Sequence, residues 1–186
     1  MTVTESPEAR LRLRKTRIIL GCILSSGLYS FYWFYVTWKQ LREETGNPHY
    51  HPIWHSLSML VPIYVWFVGH RHLNAIKELQ DKAGVRPSFD VGGALTLFVL
   101  SNVVPLQWAW RGHPVTPTLI LAIISVALLA LCLVWSQSNL NSYWAHTRGG
   151  RLTEARIGAG EIILVVVGLA IWTMYVLWFP PLPVAS

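Results

Sequence analysis

Thr118-Leu119-Ile120-Leu121-Ala122-Ile123-Ile124-Ser125-Val126-Ala127-Leu128-Leu129-Ala130-Leu131-Cys132-Leu133-Val134-Trp135 is a run of eighteen residues without a charge. An α-helix rises about 1.5 Å per residue, so the run reaches about 27 Å, close to the roughly 30 Å hydrocarbon thickness of a bilayer. Aliphatic side chains occupy every face of that helix, and no stripe is reserved for water. The run reads as a membrane crossing, and it sets the class for the rest of the chain.

Outward from it, four more apolar runs have similar length. They cover residues 18–38, 53–69, 91–110 and 162–179, which with 118–135 gives five expected spans. The composition agrees: 53% of the 186 residues are hydrophobic and 13% charged, against roughly a quarter charged in an average soluble domain. The remaining polar segments are too short to bury a second, water-soluble core. The expectation is an all-α integral membrane protein with a basic arm over 1–17, one membrane domain over 18–179 and a short tail over 180–186.

The punctuation between runs is regular. Gly46-Asn47-Pro48 supplies a C-cap and a breaker after a first helix that overhangs through Lys39 to Thr45, and Pro52 suits the first turn of the next helix. Pro62 falls inside the second run, where it frees a carbonyl and kinks the helix. Beyond Gly69 the helix continues to Ala83 with Leu73, Ile76 and Leu79 on one face, and Gly84 ends it. The fourth run emerges as Ser136 to Trp144 and stops near Gly149-Gly150, and Pro180-Pro181 stops the fifth.

Lysine and arginine are retained on cytoplasmic flanks. With five spans and the N-terminus inside, twelve of the fifteen fall inside, and three, Lys39, Arg42 and Arg111, fall outside. The rival arrangement bends the first run into a re-entrant hairpin at Ser25-Ser26-Gly27 and inverts everything after it. That leaves eight basic residues inside against seven outside, so the five-span, N-in and C-out arrangement is preferred. Trp38, Trp54, Trp108, Trp110 and Trp178 then cluster at outer ends and Trp135 and Trp144 near the inner side, as interfacial belts do. The net charge of +6 flanks hydrophobic runs and forms no patch for nucleic acid; anionic lipid headgroups are the expected partners. Cys22 and Cys132 lie in different runs and define no disulfide framework. Ile19-Leu20-Gly21-Cys22 follows Arg17 too closely to be a lipoprotein signal box.

Three stretches carry a family resemblance. They are Gly27-Leu28-Tyr29-Ser30-Phe31-Tyr32-Trp33-Phe34-Tyr35 leading into Trp38-Lys39, then Pro62-Ile63-Tyr64-Val65-Trp66 with its His-Leu-Asn follow-on, and Gln137-Ser138-Asn139-Leu140-Asn141-Ser142-Tyr143-Trp144. Together they resemble the prokaryotic membrane proteins grouped as domain of unknown function 4234, over roughly residues 17–179. The resemblance implies a small helical protein of the bacterial plasma membrane and carries no assigned activity or functional residues. Some such proteins bear a zinc ribbon before the first span; this chain has no Cys pair there.

Candidate chemistry competes with structural readings. His49, His51 and His55 cluster in the first connection, but Pro52 breaks a shared helical face, and interfacial histidines are the expectation. His70 and His72 point to different sides of one helix, which does not make a haem site. Glu43-Glu44 lies at a helix end and reads as solvated. No nucleophile elbow, zinc-protease motif or phosphate loop occurs, so no catalytic residue, metal or cofactor is assigned. Asn102 and Gln107 are the most polar residues well inside any run; they mark either helix packing or a solute pathway. Gln137, Asn139, Asn141, Tyr143 and Trp144 project toward the inner interface, where they either clasp the Leu73-Asn74 region or receive a partner. The expected role is a non-enzymatic accessory or scaffold protein, with a membrane-protein partner or a second copy of itself. The alternative is a small oligomeric transporter or channel subunit.

Overall fold

The computed structural model describes residues 12–61, 63–88, 90–110, 115–149 and 154–178, with side chains left undescribed at 103–110, 115–118, 175, 176 and 178. The described residues fold into seven α-helices: α1 (Lys15–Leu24), α2 (Tyr29–Thr45), α3 (Pro52–Leu57), α4 (Tyr64–Lys82), α5 (Val91–Trp110), α6 (Val115–Thr147) and α7 (Ala159–Trp178). One of them, over Leu119–Thr147, is long and apolar enough to cross a membrane, and shorter apolar helices cover Val91–Asn102 and Ala159–Met174.

The 18–38 run, expected as one span, is two helices. Ser26 and Gly27 take left-handed backbone, φ 53° and 88°, which reverses the chain. The reversal is closed by its own bonds: Gly27 N–H donates to the Cys22 carbonyl at 2.8 Å, and the Ser25 hydroxyl oxygen accepts the Tyr29 N–H at 2.7 Å. The N-cap position itself is Leu28, which makes no side-chain cap bond, so Ser25 satisfies the first N–H of α2 from within the reversal. The Tyr29 ring then lies on Gly21, where any Cβ would collide with it, and Tyr32 hydrogen-bonds Arg17. Residues fifteen apart on one straight helix would be about 22 Å apart, so α1 and α2 form a hairpin.

The 53–69 run is broken as well. From Pro52, at the start of α3, the chain passes through a 3-10 turn over Ser58–Leu60. It reverses around Ile63, whose φ is 71°, and returns as α4. Pro62, expected to kink this run, lies outside the described residues. The return brings Arg71 over the Tyr50 ring at 5.8 Å, so the second reversal is also a hairpin. It packs on the first: the Ser56 hydroxyl donates to the Phe31 carbonyl at 2.7 Å, and the Trp38 ring lies 4.5 Å from His55 and 4.9 Å from Tyr50.

α5 and α6 form a long antiparallel pair, with the Cys132 thiol at 3.3 Å from the Ala94 carbonyl. Phe98 of α5 fills the place a side chain at Gly69 would need, tying α4 to the pair. α7 closes the bundle. It starts beside Arg17 and passes the first hairpin's tip so closely that Gly168 meets the Ser25 backbone, where no Cβ fits. Trp172 then donates to the Ile23 carbonyl at 2.7 Å. The core is largely aromatic: Trp33, Trp38, Trp144, Tyr29 and Phe98 are fully buried.

Candidate functional site

The open ends of both hairpins gather at one end of the molecule, around the last four turns of α6. Trp33 Nε1–H donates to Gln137 Oε1 at 2.8 Å, and Gln137 Nε2 donates to Asn141 Oδ1 at 3.0 Å. Asn141 Nδ2 in turn donates to the Leu13 carbonyl at 3.0 Å. On the opposite face of α6, Asn139 Oδ1 accepts from Gln80 Nε2 at 3.3 Å and from the Ser88 N–H at 2.8 Å, while its Nδ2 donates to the Trp135 carbonyl at 2.9 Å. Tyr143 donates to Glu44 Oε1 at 2.7 Å and Arg148 to Glu44 Oε2 at 2.6 Å. Trp144 is buried against Tyr143, 4.8 Å between ring centroids.

These contacts place the sequence candidates. Gln137, Asn139, Asn141, Tyr143 and Trp144 converge in a clasp that stays within the molecule, whereas Asn74 is half-buried and bonded to His70 on its own helix. The α4 partner of the clasp is Gln80, six residues further on. Glu44, read from sequence as solvated, is the acceptor that holds the end of α2 to α6; its neighbour Glu43 is the exposed one. The sequence signal for Gln80 was its position on the buried face of α4 beside Ile76 and Leu79. For Glu44 no local signal existed, because its partners are about a hundred residues away.

The same end carries a second tie. Arg17 Nε donates to Glu161 Oε1 at 2.8 Å, and its Nη2 to Glu161 Oε2. The guanidinium also reaches the carbonyls of Ala155 and Arg156. The hydrogen bond to Glu161 raises the Arg17 pKa above its ordinary value and outweighs burial, which pulls the other way. A bidentate Arg–carboxylate pair at the foot of α7 fixes where α1 enters.

Between this end and the hairpin tips lies His72, fully buried. Its ring sits 5.2 Å from Trp33, 5.0 Å from Phe34 and 4.6 Å from Trp38. Thr37 spends its hydroxyl proton on the Trp33 carbonyl at 2.7 Å. His72 Nε2, 3.0 Å from Thr37 Oγ1, is therefore the donor of that pair and carries a proton. Of the other histidines, His55 is buried, with Nε2 at 3.4 Å from the His49 carbonyl. No group of three His, Cys, Asp or Glu side chains among the described residues is arranged to hold a metal.

At the hairpin tips a cavity of about 290 Å³ is lined by Ser26, Ser30, Met59, Ser101, Asn102 and Ser125, with apolar residues around them. Its polar groups bond their own backbone: Asn102 Nδ2 to the Phe98 carbonyl at 2.7 Å, Ser101 to the same carbonyl at 2.7 Å and Ser125 to the Leu121 carbonyl at 2.8 Å. The side chain of Gln107 lies outside the described residues. Tyr29, Trp33, Phe34 and Phe98, on the same helices as the lining residues of α2 and α5, are all buried.

Compared with family models, curated proteins and solved structures, the chain gives no match. The resemblance of its three motif stretches therefore rests on those residues alone, and function has to be argued from the geometry.

Proposed function

We propose that this is a multi-pass protein of the bacterial plasma membrane, N-terminus inside and C-terminus outside, with three full crossings, α5, α6 and α7, and two re-entrant hairpins. Helix length supports this count. α5 and α7 have 20 residues and α6 has 33, about 30 and 50 Å, whereas α1 has ten, about 15 Å and half a bilayer. Five continuous crossings would need unbroken helices over 18–38 and 53–69.

The observation that carries the reading is charge. With both hairpins re-entrant, the connection holding Lys39 and Arg42 joins the N-terminal arm, the α4 end and the 148–156 segment on one side. Fourteen of the fifteen basic residues then share that side and Arg111 alone lies opposite, a sharper asymmetry than five spans give. Bending the first run alone destroys the asymmetry; bending both completes it. The tips also meet what hydrocarbon demands of irregular backbone, since Ser25 is buried and the Gly27 and Leu28 N–H groups are both paired.

The role this supports is a non-enzymatic accessory or scaffold protein whose basic cytoplasmic face engages anionic lipid and a membrane partner. The clasp amides and the Tyr143 hydroxyl bond within the molecule, which leaves exposed residues such as Arg71, Lys77 and Lys82 as the basic chemistry presented to the cytoplasm. The tip cavity favours the second reading, a small oligomeric transporter subunit, but Ser30, Ser101, Asn102 and Ser125 each donate to a backbone carbonyl three or four residues earlier. Two experiments test the proposal. A His49→Cys/Asp81→Cys protein in sealed vesicles, treated with an impermeant maleimide, carries two labels or none if both loops share a face; one label per chain overturns the topology. Native mass spectrometry from lipid nanodiscs should retain acidic lipid and a stoichiometric partner, while a bare homo-oligomer that catalyses solute flux would replace the scaffold role with transport.

A further inference from the structure

The two hairpins occupy one half of the bilayer only. Resting on the topology proposed above, all seven helices stand in the cytoplasmic leaflet and three continue through the outer one. A helix with its side chains is about 10–12 Å across, so the four additional helices add about 300–450 Å² of protein cross-section to the inner leaflet. On that topology no further helix among the described residues fills the outer leaflet beneath the tips.

The surface chemistry of the second hairpin agrees. Ile53, Trp54, Leu60, Ile63 and Phe67 are each about 60–70% exposed, an apolar band around α3, its tip and the first turns of α4. On a water-exposed protein such a band demands a partner. At half-bilayer depth lipid chains cover it, and the same element emerges with Arg71, Lys77, Lys82 and Arg86 at the level of anionic headgroups. Ser56 to Phe31 joins the two hairpins, and Trp33 to Gln137 and Arg17 to Glu161 hold the first of them against the crossings.

We infer that the protein is a curvature-active wedge: it expands the cytoplasmic leaflet, partitions to membrane whose cytoplasmic leaflet is convex, and at high density bends flat membrane in that sense. The occupant of the surface is lipid, and anionic lipid on the basic side.

The test uses the full chain with His49→Cys, reconstituted into phosphatidylcholine–phosphatidylglycerol vesicles of broad size distribution and labelled from outside with an impermeant fluorophore. Only molecules with the basic face outward are then visible, because Cys22 and Cys132 are buried. Label per unit of lipid signal on single vesicles should rise at least about threefold from the largest to the smallest, a bias of about 0.65 kcal/mol. A density independent of diameter overturns the wedge, as does a partner copy filling the outer half, which would give the same flat result. The failures are separable: one label per chain in the His49→Cys/Asp81→Cys protein defeats the topology, whereas two labels with a flat density defeat the wedge alone.

Discussion

Replacing Gln137 by leucine removes the acceptor of the Trp33 indole at a place water does not reach: Trp33 is 1% exposed and Gln137 0%. The bond is 2.8 Å long and joins the first hairpin to α6. An orphaned buried donor costs about 1–3 kcal/mol in water-soluble proteins. Polar pairs between membrane helices average about 0.6 and reach about 1.7 kcal/mol. The pair lies toward the basic end of the bundle and is fully enclosed, so Gln137→Leu should cost about 1.5 kcal/mol, between the two scales. Trp33→Phe removes the donor and also some volume, and the volume cancels in a double-mutant cycle. With both partners apolar the penalty for an unsatisfied group disappears, so the cycle should return a coupling of about 1 kcal/mol. The assay is reversible unfolding in mixed micelles by a denaturing detergent, followed by helical circular dichroism. A coupling below about 0.3 kcal/mol, the scatter expected of independent sites, would refute the claim that this bond fastens the hairpin.

Glu161→Gln keeps the shape of the side chain and strips the charge facing Arg17. Their side chains are 8% and 17% exposed, between a screened surface pair at about 0–1 and a buried one at about 3–5 kcal/mol, so the same titration should show a loss of about 2 kcal/mol. Gly168→Ala forces a methyl into the Ser25 backbone and should cost about 1–3 kcal/mol as overpacking. Gly160→Ala, whose added carbon meets nothing closer than 4.0 Å, should unfold like the parent. Asn102→Leu should change stability by less than about 0.6 kcal/mol, the mean for an interhelical polar contact, because its amide bonds its own helix; a loss above about 1 kcal/mol would place it between helices.

Much of the helical punctuation was legible in the sequence. Gly46 is the left-handed C-cap after Thr45, with its N–H on the Arg42 carbonyl at 2.9 Å. Gly84 takes φ 70° just beyond α4, and Pro52 opens α3. What hydropathy could not convey is that an apolar run can enter and leave by the same face. Ser25-Ser26-Gly27 is a small polar dent in a run long enough to cross, and whether it bends depends on Ser25 accepting the Tyr29 N–H and on α7 offering Gly168 as a seat. Neither property is local. Charge favours the proposed arrangement only when both bends are considered together, since each bend alone degrades the asymmetry. The clasp was half legible: the amides of the α6 tail stood out, but Glu44, Gln80 and Leu13 are joined to them by packing across the whole chain.

The central claim is that residues 15–43 form a hairpin opening at one face, and the distance between spin labels at Lys15→Cys and Glu43→Cys tests it most directly. Both positions are exposed. A continuous helix would separate them by about 42 Å. In the hairpin, Leu13 and Glu44 both bond to the stretch of α6 between Asn141 and Arg148, about 10 Å long. Pulsed electron paramagnetic resonance in nanodiscs should therefore give a distance below about 25 Å once label and side-chain reach are added to that span. A distribution centred near 40 Å would return the first run to a continuous crossing and remove the basis for the three-crossing arrangement.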